Sequence, residues 1–267
     1  MTETSFTTIN GIKTAELILS GSTNASTRAP ILMLHGWGVN LKTMQPLGEK
    51  LAALGYNVYI PDMPGFGESA TPATVWNVLD YAKFIIDYLD AHQLDRVYLI
   101  GHSFGGRVAL ILGADYPERF IKFALADAAG VPDKPSSSAN FRLTAYKAVR
   151  DRLYKVGAKT LADNLRAQYN ARYGSTDFKA ASGVMRETFV KVVNQDLRPY
   201  AQRVKLSTLL FWGDKDEDTP LWMGQELEKL IPDAGLIVYE GAGHYSYLER
   251  LSETVKTVDY FFRQEKS

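Results

Sequence analysis

Residues Ile100-Gly101-His102-Ser103-Phe104-Gly105-Gly106 set a serine between two glycines at the spacing G-x-S-x-G. Before them runs Arg96-Val97-Tyr98-Leu99-Ile100, rich in strand formers. After them runs Arg107-Val108-Ala109-Leu110-Ile111-Leu112, which reads as a buried-faced helix. A serine on a sharp strand-to-helix turn has its hydroxyl lifted clear of the sheet. Such a turn needs glycine on both sides, because a side chain at Gly101 or Gly105 would strike the strand or helix across it. The chemistry this permits is attack by the Ser103 hydroxyl on an electrophilic carbon. The Phe104 N–H, at the helix start, would face any negative oxygen formed there. A serine in an ordinary glycine-rich turn carries the same five letters; the strand before and the helix after separate the two cases.

A serine hydroxyl needs a base at neutral pH, and four histidines are available. His102 adjoins Ser103 and would point elsewhere at a sharp turn. His92 closes the helix that leads into the Ser103 strand, at the opposite edge of a sheet. His35, beside Gly36, suits packing or hydrogen bonding under the next loop. His244 follows the last strand in a loop bounded by Gly241 and Gly243, at the edge where ligands bind in open α/β sheets, and is the expected base. A carboxylate must fix its tautomer and stabilise the imidazolium. Asp216, in the turn after Thr208-Leu209-Leu210-Phe211-Trp212, is the first candidate, and Asp127, ending an earlier strand, is its rival. Asp214 reads as a turn former, and Glu217 and Asp218 as leading into the next helix. The oxyanion needs two preset donors: the Phe104 N–H and the Trp37 N–H, the latter flanked by Gly36 and Gly38 so that backbone can approach a ligand.

These residues must be held by a sheet. Asn10-Gly11 between β-prone runs signals a hairpin. Ile31-Leu32-Met33-Leu34 is continuously apolar, as a strand covered on both faces must be. A helix follows on Met44, Leu47, Leu51 and Leu54, then a strand over Asn57–Ile60. Val75, Val78, Leu79, Ala82, Ile85, Ile86 and Leu89 mark a long helix, and Phe120–Ala126 a strand. Residues 21–30 read as a polar turn. Helix is expected from Pro220 to Ile231, with Pro in the first turn, then a strand over Leu236–Tyr239 and a helix to about Phe262. This alternation predicts an α/β class with a mostly parallel sheet and helices on both faces.

Residues 131–204 break the alternation. They open on Pro132, Pro135 and Ser136-Ser137-Ser138, contain no strand-like run, and carry three helical faces: Tyr146/Val149/Leu153/Val156, Leu161/Leu165/Tyr169 and Met185/Phe189/Val192. A helical lid is expected here, with residues 1–130 and 205–267 forming the core. The insertion holds 14 Lys/Arg against six Asp/Glu, so it is +8 and the rest of the chain −8. Such asymmetry is ordinarily a set of solvated helix faces; it also raises the expectation of a lid that favours a carboxylate-bearing ester or an anionic surface.

The bulk composition excludes several classes. Thirty Lys/Arg balance thirty Asp/Glu, against a general nucleic-acid binder. No cysteine is present, which removes disulfides, thiolate catalysis and Cys-ligated metal. No signal peptide and no apolar run long enough to span a bilayer is read, so a cytoplasmic protein is expected. No metal or organic cofactor is called for, and oligomeric state leaves no mark in the pattern.

The Asn10-Gly11 hairpin, His35-Gly36-Trp37-Gly38, Asp62-Met63-Pro64-Gly65-Phe66-Gly67-Glu68-Ser69, Gly101-His102-Ser103-Phe104-Gly105-Gly106, Gly213-Asp214-Lys215-Asp216 and Gly243-His244 fall in an order that resembles the α/β-hydrolase superfamily. The resemblance implies an eight-stranded, mostly parallel sheet with a helical cap at 131–204. It implies Ser103 as nucleophile, Asp216 as acid, His244 as base, and Trp37 and Phe104 as oxyanion donors. The nearest branch is that of capped esterases, carbon–carbon hydrolases and haloalkane dehalogenases. Ser103 stands where dehalogenases and epoxide hydrolases of that branch use Asp, which argues against those two activities. The expected activity is acyl-enzyme hydrolysis of a small to medium carboxylic ester, a small-molecule substrate. The alternatives are carbon–carbon cleavage of ring-cleavage products, or a ligand sensor that keeps the three residues with little turnover.

Overall fold

The structure is a computed structural model and describes residues 3–22, 28–132, 137–173 and 175–264. Residues 23–27 of the polar turn, and 133–136 of the linker-like opening of the insertion, lie outside the described residues.

Asn10 and Gly11 take φ of 49° and 80°, the positive pair that closes a two-residue hairpin without splaying its strands. The hairpin joins β1 (Ser5–Ile9) to β2 (Ile12–Leu19). The chain then alternates: β3 (Ile31–Leu34), α1 (Gln45–Ala53), β4 (Val58–Pro61), α2 (Val78–Ala91), β5 (Val97–His102), α3 (Phe104–Asp115) and β6 (Phe120–Ala126). Five helices follow: α4 (Ser137–Lys155), α5 (Lys159–Tyr173), α6 (Thr176–Ala180), α7 (Gly183–Asn194) and α8 (Arg198–Ala201). The sheet resumes with β7 (Thr208–Gly213), α9 (Leu221–Leu230) and β8 (Ala234–Tyr239), and the chain closes with α10 (Ser246–Glu249) and α11 (Leu251–Arg263).

The eight strands lie in the order β1-β2-β4-β3-β5-β6-β7-β8. From β4 to β8 every pairing is parallel, and β1 and β2 are antiparallel at one edge. The expected α/β architecture is therefore the observed one. Period-two alternation divides β3 between two apolar layers. Leu32 and Leu34 join residues of α2, α3 and α9 on one face, while Ile31 and Met33 join residues of α1, α10 and α11 on the other. Each such fully buried side chain contributes ~1.5–3 kcal/mol, and all four residues of β3 are apolar and buried. Among the described residues no helix is long and apolar enough to cross a membrane.

The differences from the sequence reading have local causes. α2 starts at Val78 rather than Val75, because Asn77 and Asp80 form a capping box, and Leu79 in its first turn faces solvent. Pro220 is the cap before α9 rather than part of its first turn. The final helix breaks at Arg250, between α10 and α11. In the insertion the apolar sets do not act as single faces. Tyr146 and Leu153 are half-buried, whereas Val149, Val156 and Leu161 are exposed.

Candidate active site

Because β3, β5, β6, β7 and β8 run parallel, the loops that leave their carboxyl ends emerge side by side. Those loops carry His35-Gly36-Trp37, Ser103, Asp127, Asp214 to Thr219, and His244.

Ser103 joins β5 to α3 with φ 49° and ψ −106°, a backbone that costs a non-glycine residue ~1–3 kcal/mol. It is held from both sides. Its N–H donates to Ala126 O at 3.1 Å, and its carbonyl accepts from the N–H groups of Gly106, Arg107 and Ala129. A Cβ on Gly101 would stand 2.9 Å from the Gly105 backbone, and one on Gly105 2.3 Å from the Leu34 carbonyl oxygen. Those are the collisions with helix and strand that the G-x-S-x-G spacing avoids. Phe104 is the first residue of α3, so its N–H has no acceptor within the helix. The Gly36 backbone closes in from the other side; a Cβ there would lie 3.4 Å from Ser103 Cβ.

His244 Nδ1 is 2.8 Å from Asp216 Oδ2. The remaining acceptor capacity of Asp216 is used locally. Oδ1 accepts from the N–H groups of Asp218 at 2.9 Å and Thr219 at 2.8 Å, and Oδ2 accepts from the Thr219 hydroxyl at 2.7 Å. A carboxylate collecting the N–H groups two and three residues ahead is an Asx turn. Asp at the first position of Asp216-Glu217-Asp218-Thr219 is the sequence signal for that turn, and through it Thr219 joins the site. Burial raises the Asp216 carboxyl, but the His244 and Thr219 hydrogen bonds outweigh it and hold it below its ordinary value. For His244 burial disfavours the imidazolium; the hydrogen bond and charge of Asp216, with Asp127 and Asp218 adding to them, prevail and raise it above its ordinary value. With Nδ1–H donated to Asp216, Nε2 is left as the basic nitrogen.

Asp127 sits elsewhere in the same cluster. Its Oδ1 accepts from Gly213 N–H at 3.0 Å, and its Oδ2 accepts from the Ser246 N–H at 3.1 Å and hydroxyl at 2.6 Å. Its backbone is left-handed at φ 47°. Burial pushes its carboxyl up to about 7, against those three donors.

The other histidines are occupied. His35 is buried; its Nδ1 is 2.7 Å from Gly36 O and its Nε2 accepts from Met63 N–H at 3.0 Å, so it fixes the loop bearing Trp37. Burial lowers its pKa and keeps it neutral. His102 donates from Nε2 to the His244 carbonyl at 2.8 Å, and burial pushes it down to about 3. His92 Nε2 lies 2.8 Å from Glu16 Oε2, at the C-terminal cap of α2.

Ser103 and His244 open onto one cavity of about 740 Å3, together with Gly36, Trp37 and Phe104. The insertion contributes Ser175, Thr176 and Asp177 at the start of α6, and Phe189, Val192 and Val193 of α7. Arg107 is the one Lys or Arg among the described lining residues. Its buried guanidinium donates to the carbonyls of Val192, Val193 and Gln195, at the end of α7. The remaining charges of the lining are acidic, Asp177 and Asp218. Among the described residues, no Lys or Arg of the insertion lines the cavity. Asp216, Asp218 and His244 offer one ligand atom each within 4.8 Å of one another, but both Asp216 oxygens are already committed to hydrogen bonds within the protein.

The chain is 27% identical to a 2-hydroxy-6-oxo-6-phenylhexa-2,4-dienoate hydrolase of Burkholderia cepacia, over 93% of this chain and 92% of that protein. It is 27% identical to Lipase 1 of Psychrobacter immobilis, over 87% of this chain and 76% of the other. The solved esterase of Exiguobacterium antarcticum superposes with a TM-score of 0.73 at 22% identity, covering 99% of this chain and 100% of that one. A family model described as the alpha/beta hydrolase fold matches residues 29–251. With that match spanning most of the chain, and the sheet and its loops arranged as above, the protein is a member of the alpha/beta hydrolase family.

Proposed function

We propose that this hydrolase is a serine esterase acting on uncharged carboxylic esters of small to medium size. The observation that carries the reading is the 2.8 Å contact between Asp216 and His244 at the rim of a cavity that also holds Ser103. Ser103 Oγ attacks the ester carbonyl while His244 Nε2 takes its proton. The carbonyl oxygen becomes an oxyanion received by the N–H groups of Trp37 and Phe104. Collapse of the tetrahedral intermediate breaks the bond to the alcohol, which leaves with the proton from His244. Water, deprotonated by His244, then attacks the acyl-enzyme and releases the acid and free Ser103. Residues 131–204 serve as the cap that shapes the acyl and alcohol pockets.

The character of the lining selects among esters. A carboxylate-bearing substrate needs a cation inside the cavity. Arg107 is spent on three backbone carbonyls, and Asp177 and Asp218 would repel an anion. Carbon–carbon cleavage is the second reading, favoured by the likeness to the Burkholderia cepacia dienoate hydrolase, since the same serine, base and acid serve both reactions; the acidic lining weighs against a dienoate. The test is labelling followed by turnover. A fluorophosphonate probe should modify the wild type and spare Ser103→Ala. Hydrolysis of p-nitrophenyl esters of rising chain length should exceed cleavage of a vinylogous diketone. Labelling without turnover on either would make the protein a sensor and end the esterase reading.

A further inference from the structure

The α4–α5 hairpin adds no described residue to the cavity lining, yet it concentrates the charge of the insertion. Residues 137–173 hold eight Lys/Arg and two Asp/Glu, and one of the two, Asp151, is paired with Arg150. The two helices pack on each other through Tyr146 stacked on Tyr169 at 4.0 Å, and through the Tyr154 hydroxyl bonded to Asp163 at 2.6 Å. Among the described side chains of α4, Tyr146, Arg150, Leu153 and Tyr154 are half-buried.

On the other side of α4, Phe141, Ala145, Ala148, Val149, Arg152 and Val156, the last just past its end, fall within an arc of about 100° at helical spacing. All six are exposed. The apolar members are large and wet: Phe141 is 77% exposed, Val156 69% and Val149 52%, and Leu161, just beyond the turn, is 60%. Arg142 and Lys155 border the stripe, and Arg152 lies within it. On a helix too polar to span a bilayer, exposed Phe and Val side chains beside cations suit shallow contact with a headgroup region, the arginine and lysine stems reaching up to phosphates.

We propose that this stripe of α4, with the hairpin tip, docks the protein on a bilayer containing anionic phospholipid. The occupant follows from charge and shape. Two copies meeting stripe to stripe would set one strongly cationic hairpin against another. The stripe is a convex ridge about 22 Å long at 1.5 Å per residue, which a bilayer accepts without a matching groove. The proposal is independent of the esterase assignment.

Co-sedimentation of the full chain with vesicles tests it. Wild type should bind phosphatidylcholine vesicles containing about one third phosphatidylglycerol at least ~10-fold better than pure phosphatidylcholine, and lose that preference as salt rises. The triple variant Phe141→Ser/Val149→Ser/Val156→Ser should lose ~10-fold in binding. Its helical circular dichroism and its labelling by a fluorophosphonate in vesicle-free buffer should match wild type. Arg152→Glu, which leaves the apolar residues in place, should weaken binding to anionic vesicles alone. Equal binding to both vesicle types, or wild-type binding by both variants, overturns the proposal. So does a wild-type dimer in light scattering that the triple variant converts to monomer, since the occupant would then be a second copy.

Discussion

Asp127 grips Ser246 twice, its Oδ2 accepting from the hydroxyl at 2.6 Å and from the N–H at 3.1 Å. Its Oδ1 meanwhile holds Gly213 N–H at the end of β7. One carboxylate thus ties the strand leading to Asp216 to the loop just beyond His244. Asp127→Ala strands three donors and should cost ~2–4 kcal/mol in urea unfolding. The pH dependence runs opposite to that of an ordinary paired carboxylate. The folded pKa is raised from 3.8 to about 7, so this group favours folding below its unfolded pKa, and that stability is lost as pH rises from about 4 through 7. Asp127→Asn removes the titration, so its stability relative to wild type should improve across that window. A difference between the two that stays constant with pH would refute the assignment.

Asp216 and Asp127 separate in kinetics. Asp216→Asn should lower kcat by ~10³–10⁴-fold by disturbing the His244 tautomer, while Asp127→Asn, lacking contact with the imidazole, should cost far less. Stopped assays with a p-nitrophenyl ester measure both. Equal losses would make Asp127 a second partner of the base.

In the proposed mechanism the Asp216–His244 pair sets the acidic limb of the rate profile. His244 works as a base only when neutral, and its folded pKa lies above 6.5. kcat/KM should therefore fall as pH drops through a value above 6.5, and the limb should move down in Asp216→Asn, where the raising partner is gone. A wild-type limb below 6.5 would contradict the electrostatics described for the cluster.

Arg107 reaches from α3 to three carbonyls at the end of α7, the helix that supplies Phe189, Val192 and Val193 to the cavity. Arg107→Met keeps much of the packing and removes the donors. It should cost ~2–4 kcal/mol in thermal unfolding and raise KM more than it lowers kcat.

Gly105→Ala would drive a Cβ to 2.3 Å from a backbone oxygen of β3 and should lower stability by ~3 kcal/mol or more, since neither element can yield. Gly235→Ala in β8, where a Cβ meets nothing within 4 Å, should be nearly neutral. Comparing their melting temperatures isolates the close approach from the loss of a glycine.

The sheet and the elbow were legible because each obeys a local rule: alternation for β3, strand-glycine-serine-glycine-helix for Ser103. His244 follows from elimination among four histidines, while Asp216 is only the first choice over Asp127; the structure brings Asp216 and His244 together. What the sequence hid is long-range. Nothing near Arg107 in the chain announces acceptors 85 to 88 residues away. Nor does anything near Asp127 announce Ser246, 119 residues on. Periodicity grouped Tyr146, Val149, Leu153 and Val156 without revealing that only part of the set would meet another helix, because spacing defines a face and not its neighbour.

The indole of Trp37 touches Phe66 and Phe104 of the core, with ring centroids at 4.8 and 5.2 Å, and Phe189 of α7 at 5.1 Å. Any swing of α7 away from the sheet strips one aromatic neighbour from that indole and admits water in its place. Trp37, one of four tryptophans, is therefore placed so that such a displacement would change the polarity around its own ring.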